Sequence, residues 1–223
     1  MADMAAYRLR VELPDQPGAL AHVAAAIAAA DGNVVSIDIH ELDAGNAVDE
    51  IVVEAPDGWD VAALGQAISE TGADLLSCGP AVDRMDPMVR GLRYAAALIA
   101  SGPARDTLEL GRAVLELTSG TSAWVSTKAE AMAYEAGRRA LQHGGPIVMR
   151  TDDLPTSVKW DVRGPVWLLA APGGEDDNAV VAFATRPPAL RFTASEIERV
   201  ECLLTLYGLL NSAGLLRPPA VRR

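Results

Sequence analysis

Residues 7–13 alternate strictly between apolar and charged side chains. A period of two predicts a β-strand with one buried face. Pro14 and Pro17 follow, and the strand is expected to end there because neither proline can donate a hydrogen bond to a ladder. Apolar residues then recur at helical spacing over residues 20–28, which predicts an amphipathic helix.

The same two periods account for the rest of the first 80 residues. The patterns predict strands at 35–39 and 51–53, a helix at 61–71 and a last strand at 73–78. Asp31-Gly32 marks the end of the first helix, where Gly32 is expected in a left-handed conformation. The resulting order, β-α-β-β-α-β, is the ferredoxin-like arrangement.

The turn between the first strand and the first helix reads Asp15-Gln16-Pro17-Gly18-Ala19-Leu20. Because Gly18 has no Cβ, a ligand can come close to the backbone where the helix begins. Unpaired N–H groups and the positive end of the helix dipole favour a carboxylate at that point. Two interpretations of Asp15 stay open: it caps the helix, or it pairs with the ammonium group of a ligand.

The turn and the order of elements resemble those of ACT domains over residues 6–80. The family signature is an Asp-x-Pro-Gly-x-Leu turn followed by a Gly-Asn-Val-like start of the second strand, and this chain has Gly32-Asn33-Val34 there. ACT effector sites commonly form where two domains meet side by side, so the resemblance implies at least a homodimer and a small-molecule ligand, an amino acid. The implicated ligand-binding residues are Asp15, Gln16, Pro17, Gly18, Ala19, Leu20, Asn33, Val34 and Val35. From the residues alone, Asn33 is equally a turn residue that tolerates unusual backbone angles.

The second half of the chain mixes helical and strand patterns. It predicts helices at 92–99, 105–118 and 130–143, strands at 123–125, 147–149, 158–162, 166–170 and 179–184, and a closing helix after Thr193. The continuously apolar segment 166–170 is typical of a central strand. Thr193-x-x-Glu196 is a capping box, and Phe192 before it is placed as a hydrophobic staple.

Residues 88–212, approximately, resemble a GAF-like domain. Three features carry the resemblance: the step from a helix into Gly144-Gly145-Pro146-Ile147-Val148, the paired apolar strands, and the Phe192-Thr193 start of the closing helix. The resemblance implies sensing, dimerisation or scaffolding, with the ligand open. The expected fold class is α+β. Its expected parts are an ACT domain at 1–80, a linker at 81–87, a GAF-like domain with a central antiparallel sheet at 88–213 and a flexible tail at 214–223.

A second pocket is expected in the GAF-like half, around Trp124, Lys128, Arg150 and Trp160. Tryptophan rings offer broad contact faces, and a cation beside one can hold an anionic ligand. The alternative interpretation is two core tryptophans and two solvated charges.

Charge is distributed unevenly over the 223 residues, whose net charge is −11. Residues 1–80 hold 14 Asp and Glu against two Arg, a net of −12, and the remainder has a net of +1. This difference supports a boundary near residue 80, and the acidic balance disfavours direct nucleic-acid binding. No signal peptide or membrane-spanning segment is apparent, so the cytoplasm is the expected location.

The motifs of common enzymes are missing from the sequence. It has no Gly-x-Ser-x-Gly elbow, no phosphate-binding Gly-x4-Gly-Lys-Ser/Thr loop and no Gly-x-Gly-x-x-Gly segment. Its two cysteines and three histidines do not form a zinc-spaced cluster. We therefore expect a regulatory or sensory protein without a cofactor rather than an enzyme. The alternatives are a dimerisation module that binds no ligand and an enzyme of unfamiliar type in the second half.

Overall fold

The computed structural model describes residues 4–41, 45–81, 87–101, 106–153, 165–174 and 179–216. Packing of the backbone divides the chain into two units, residues 1–86 and 87–223. Several expectations lie wholly or partly outside the described residues. They are the 158–162 strand with Trp160, most of the 81–87 linker and most of the 214–223 tail.

The first unit has the predicted β-α-β-β-α-β order. Its elements are β1 (Met4–Pro14), α1 (Ala19–Ala29), β2 (Asn33–Glu41), β3 (Asn46–Pro56), α2 (Val61–Ser69) and β4 (Asp74–Pro80). The sheet is antiparallel throughout, in the order β2-β3-β1-β4. The expected ferredoxin-like sheet is confirmed, with β2 at one edge.

The alternating face of β1 forms the centre of the first core. Leu9 and Val11 are fully buried, and each such side chain stabilises the fold by roughly 1.5–3 kcal/mol relative to exposure. Both helices pack on this face of the sheet. Their buried apolar residues are Val23 and Ile27 of α1 and Leu64 and Ile68 of α2.

The end of α1 differs from the prediction. Asp31, not Gly32, has the left-handed backbone, with φ 62°. Gly32 is required for packing instead, because a Cβ there would lie 2.7 Å from Cγ2 of Ile27 and 2.9 Å from both Trp59 and Val53. The close approach of the indole allows Trp59 Nε1 to donate a 2.6 Å hydrogen bond to the carbonyl oxygen of Ala30.

The second unit is also α+β, with an antiparallel sheet. Its elements are α3 (Pro87–Ser101), α4 (Asp106–Leu117), β5 (Ser122–Thr127), α5 (Lys128–Ala131), α6 (Glu135–His143), β6 (Ile147–Arg150), a 3-10 turn (Thr151–Asp153), β7 (Trp167–Gly173), β8 (Val180–Arg186) and α7 (Ala194–Ser212). The strand order is β5-β8-β7-β6, so the predicted central position of the 166–170 segment is confirmed. The GAF-like character of this unit stays a prediction.

One predicted helix, residues 130–143, is wrong as a single element. A capping box at Thr127 and Glu130 starts α5 at Lys128, and the chain leaves helical geometry before α6 begins. The break lets α6 approach α5 closely at Gly137, where a Cβ would overlap the carbonyl oxygen of Ala131. Helical spacing of apolar residues carries no information about this contact.

Helices cover both faces of the β7–β8 pair. Leu169, Ala171 and Ala182 pack with residues of α3, α4 and α7 on one face, and Leu168 and Phe183 pack with α5 and α6 on the other. A strand buried on both faces has no polar alternation, which explains the continuous apolar segment. No helix among the described residues is long and apolar enough to cross a membrane.

A buried ion pair joins β8 to α7. Arg186 is fully buried and donates from Nη1 to Oε2 of Glu196 at 3.0 Å and from Nη2 to Oε1 at 2.5 Å. Glu196 also closes the predicted capping box, since its Oε2 accepts from the backbone N–H of Thr193 at 2.8 Å. One carboxylate therefore neutralises a buried cation and starts the closing helix.

We predict that Glu196→Ala lowers the free energy of unfolding by about 3–5 kcal/mol, because it leaves a buried guanidinium without its countercharge. The matched control is Glu130→Ala, which opens the other capping box at an exposed position and should have a much smaller effect. Urea unfolding followed by circular dichroism measures both. Equal losses in the two variants would contradict the role given to the ion pair.

Candidate functional site

The amino end of α1 is open. Gly18 is the N-cap residue with φ 94° and ψ −15°, and no side chain caps the helix. The backbone N–H groups of Ala19 and His22 bond to Gln16 and Gly18 at 3.2 Å, whereas those of Leu20 and Ala21 have no hydrogen-bond partner within the described residues. Two helix donors therefore remain for an acceptor from outside the unit.

Gly18 is needed for its backbone angle. A Cβ on it would meet no atom within 4 Å, so the space beside the turn is open. A left-handed N-cap is accessible to glycine and strained for other residues. Gly18 thus leaves the first turn of α1 accessible without supplying a capping side chain.

The structure bears on one of the two interpretations of Asp15, its role as the helix cap. Gly18, not Asp15, occupies the cap position, so the capping interpretation is wrong. The backbone N–H of Asp15 donates to the carbonyl oxygen of Gly45 at 2.9 Å, which fixes the turn against the start of β3. The residue itself is exposed, and in the sequence it lies shortly before the N-cap residue Gly18.

The other half of the expected site lies at the far end of the sheet. Asn33 begins β2 opposite Glu54, Val34 pairs with Val53 on the core side, and the register shifts at Val35. Asn33 is a strand residue without unusual backbone angles, so its interpretation as a turn residue is wrong. Since β1 and β2 both run antiparallel to β3, the turn lies beside the carboxyl end of β2, roughly 25 Å from Asn33 at about 3.3 Å per residue.

A buried carboxylate, Asp49 of β3, lies at the end of the sheet that carries the turn. Asp49 is 2% exposed and stands opposite Val11 of β1 and Ile39 of β2, on the face that carries the helices. Its Oδ1 has no hydrogen-bond partner within the described residues. Burial raises the pKa of Asp49 from 3.8 to about 6, with further contributions from the negative charges of Asp15 and Asp38.

The sequence carried a signal for Asp49 that the pattern analysis missed. It occupies a position of the period-two face that otherwise holds Ile51, Val53 and Ala55. A charged residue in such a series is expensive to bury unless it is paired. Asp38 and His40 lie on the adjacent part of β2, where Nε2 of the buried His40 is 3.7 Å from Oδ2 of Asp38.

The described residues of the expected second pocket are not brought together. Trp124 lies on the edge strand β5 and stacks on Phe183, with ring centroids 5.0 Å apart. Arg150 lies on the opposite edge strand, β6, and forms a two-pronged ion pair with Asp152 at 2.9 and 2.7 Å. Two strands of the sheet separate these residues.

Lys128 lines a cavity of the second unit. The cavity has a volume of about 810 Å³, and its lining also includes Pro172, Gly174, Ala179 and Gly208. Trp160 is outside the described residues. Within the part of the chain that the structure describes, no group of three or more His, Cys, Asp or Glu side chains is placed to bind a metal ion.

We predict that Asp49 makes the first unit less stable as pH rises from 4 to 7. Between pH 3.8 and about 6 the folded chain retains a proton that the unfolded chain has lost, so rising pH favours unfolding. Asp49→Asn removes this titration, and its stability relative to the wild type should rise by roughly 2 kcal/mol over that interval.

Urea midpoints at pH 4, 5.5 and 7 measure this change, and the comparison across pH cancels any constant cost of the buried amide. Asp57→Asn, at an exposed turn, is the control, and its stability should depend on pH as that of the wild type does. If the stability of Asp49→Asn also changes with pH as that of the wild type does, Asp49 has the same pKa in the folded and unfolded chains.

Comparisons with known proteins match part of the first unit to one family. Residues 7–73 match the family model of the ACT domain. No curated protein matches the chain. A solved formyltetrahydrofolate deformylase from Pseudomonas putida KT2440 is 15% identical with a TM-score of 0.30, and the match covers 42% of this chain and 38% of that one. A protein from Galdieria sulphuraria, described as unknown, is 12% identical with a TM-score of 0.32, covering 95% of each chain.

The family match runs from β1 to the end of α2, includes the Asp15–Leu20 turn, and ends just before β4. The amino-terminal unit of this chain therefore contains an ACT domain, over residues 7–73.

Proposed function

We propose that this chain is a regulatory or sensory protein that binds an amino acid at the β1–α1 turn, across the interface of a homodimer, and transmits binding to its second unit. The observation that carries the proposal is the open amino end of α1 in an ACT domain. ACT domains generally bind small regulatory molecules, and this one leaves backbone donors available at the expected place.

The carboxylate of the ligand would bind at the N–H groups of Leu20 and Ala21. These donors have no partner within the described residues, and the first turn of α1 contains no acidic side chain. The positive end of an 11-residue helix favours an anion there. The exposed carboxylate of Asp15 gives the same place an attraction for the ligand's ammonium group.

The direction of the strands supports a site shared by two copies. Within one chain the turn and Asn33–Val35 lie at opposite ends of β2. If two β2 edge strands pair antiparallel about a two-fold axis, the Asn33–Val35 segment of one copy meets the turn end of the other. Residues Val35, Ile37 and Ile39 of this edge strand are 42%, 39% and 60% exposed, which is typical of a surface that a partner covers.

The alternative is an ACT domain that dimerises through β2 and binds no ligand. The exposed apolar residues of β2 favour dimerisation under either proposal. The open end of α1 favours ligand binding, because it offers an anion site that dimerisation through β2 does not use.

We predict that Ala21→Glu abolishes ligand-induced stabilisation. A glutamate at this exposed third helix position places a carboxylate at the donors that the ligand would use. It should stabilise the ligand-free helix by about 0.3–1 kcal/mol. The measurement is a thermal-shift screen of the common amino acids at millimolar concentration.

The control is Ala25→Glu, an exposed position one turn further along α1, which should keep the response of the wild type. Stabilisation of Ala21→Glu by the same amino acid to the same extent would place the ligand elsewhere. No stabilisation of the wild type by any amino acid would favour the dimerisation module.

We predict that Ile39→Lys weakens the homodimer at least ten-fold, about 1.4 kcal/mol, because it places a charge at the most exposed of the three apolar residues on the edge strand β2. Sedimentation equilibrium measures the dissociation constant. Met4→Lys, at an apolar residue of the interior strand β1 that is 48% exposed, is the control and should leave dimerisation unchanged. If the wild type, Ile39→Lys and Met4→Lys have equal dissociation constants, β2 does not form the interface.

A further inference from the structure

We infer that Asp49 is the subsite for the ammonium group of the ligand, so that the site selects zwitterionic amino acids over plain carboxylic acids. The inference rests on the proposed function and deepens it, because Asp49 lies outside the segments that the family resemblance implicates. It follows from the isolation of one buried carboxylate and from its place in the sheet.

The first unit contains little that could neutralise Asp49. Residues 1–80 include only two basic side chains other than histidine, Arg8 and Arg10. Both extend from the opposite face of β1, because strand side chains alternate and Val11 is the β1 residue that stands opposite Asp49. Arg8 is paired with Glu50 at 3.1 Å.

The charged groups around Asp49 add negative charge. Asp15 from the turn and Asp38 from β2 both disfavour its ionised form. His40, beside Asp38, is 3.7 Å from that carboxylate. The only titratable residue of α1 is His22, which is exposed. Asp38 stands opposite Glu50 and so extends from the other face of the sheet. On the helix-bearing face, a positive charge brought in by a ligand would therefore meet Asp49 as the buried carboxylate.

The position of Asp49 fits a ligand held by its carboxylate at α1. Asp49 lies on the helix-bearing face of the sheet, near the strand ends where the β1–α1 turn leaves β1. The β2 residue that stands opposite Asp49 is Ile39, which is 60% exposed. A small zwitterion at this end of the sheet could place its carboxylate on the Leu20 and Ala21 amides and its ammonium group on Oδ1 of Asp49.

Burial makes Asp49 a better selector than Asp15. An exposed ion pair contributes little, because water screens it and both partners stay solvated when it is absent. A buried carboxylate without a partner is already desolvated, so a cation that reaches it regains an interaction that nothing else supplies. A ligand without an ammonium group leaves that carboxylate unpaired.

Ligand binding should consequently be linked to a proton. Asp49 has a pKa of about 6 in the ligand-free chain, so it is mostly protonated at pH 5 and mostly ionised at pH 7. An ammonium group binds the ionised form, which means that binding at pH 5 releases close to one proton. The affinity should rise about ten-fold between pH 5 and pH 7, most of it below the pKa.

Titration calorimetry of the full chain tests the inference. The probes are the amino acid that stabilises the wild type most and its counterpart without the amino group, for example L-alanine and propionate. Titrations at pH 5 and 7 in two buffers of different ionisation heat count the protons released. The variants are Asp49→Asn and, as the matched control, Asp57→Asn in an exposed turn.

The expected result has three parts. The wild type binds the amino acid at least ten-fold more tightly than the deaminated acid at pH 7, and it releases a proton on binding at pH 5. Asp49→Asn loses at least ten-fold in affinity for the amino acid and loses the dependence on pH. Asp57→Asn behaves as the wild type does.

Two contrary results are distinguishable. Equal binding of the amino acid and the deaminated acid, or binding by the wild type with no proton released at pH 5, overturns the role of Asp49 and leaves the carboxylate site at α1 standing. The proton count uses the wild type alone, so it does not depend on whether Asp49→Asn folds. Absence of binding by both probes at both pH values overturns this inference and the proposed function together.

Discussion

The first turn of α1 is held in place by packing instead of by a cap, and the rest of the candidate site depends on this. A helix with glycine at its N-cap is less stable by about a few tenths of a kcal/mol than one with a Ser, Asp or Asn cap. Here the loss is tolerated because Val23 and Ile27 are fully buried against the sheet, and tertiary packing supplies most of the stability of a short helix. The core thereby allows the backbone donors of Leu20 and Ala21 to stay available.

The direction of the strands sets the second constraint. Because β1 and β2 run the same way on either side of β3, the turn after β1 and the start of β2 are at opposite ends of the sheet. The two parts of the expected site can therefore meet only between copies. Within one copy, the residues at the turn end are those of late β2 and early β3, and among them Asp49 is buried without a partner for Oδ1. Burying such a carboxylate lowers stability, which is the kind of local cost that proteins retain at functional sites.

Features of the fold that depend on local periodicity were predictable from the sequence. The alternation over residues 7–13 indicated β1 because only one face of that strand is buried, and the apolar segment 166–170 indicated a central strand because helices cover both of its faces. The capping box at Thr193 is equally local. What could not be predicted depends on contacts between distant segments: the indole of Trp59 that excludes a Cβ at Gly32, and the contact of Gly137 with Ala131 that divides the predicted helix.

The candidate site likewise combines features that are local in the sequence with features that depend on contacts between distant segments. The turn 15–20 was placed correctly, because proline and glycine fix its backbone locally. Local patterns do not specify strand order, so the separation of Trp124 from Arg150 and of the turn from Asn33 emerged only with the sheet. Asp49 was visible as a charge within an apolar series, but its lack of a partner is a property of the assembled unit.

The most direct test of the open α1 terminus as the ligand site is an amide chemical-shift titration by NMR, with the amino acid that stabilises the chain most. The account predicts that the amide protons of Leu20 and Ala21 move downfield more than any others in the chain, because they gain a charged acceptor. Saturable shifts confined to residues 87–216, with Leu20 and Ala21 unmoved, would contradict it.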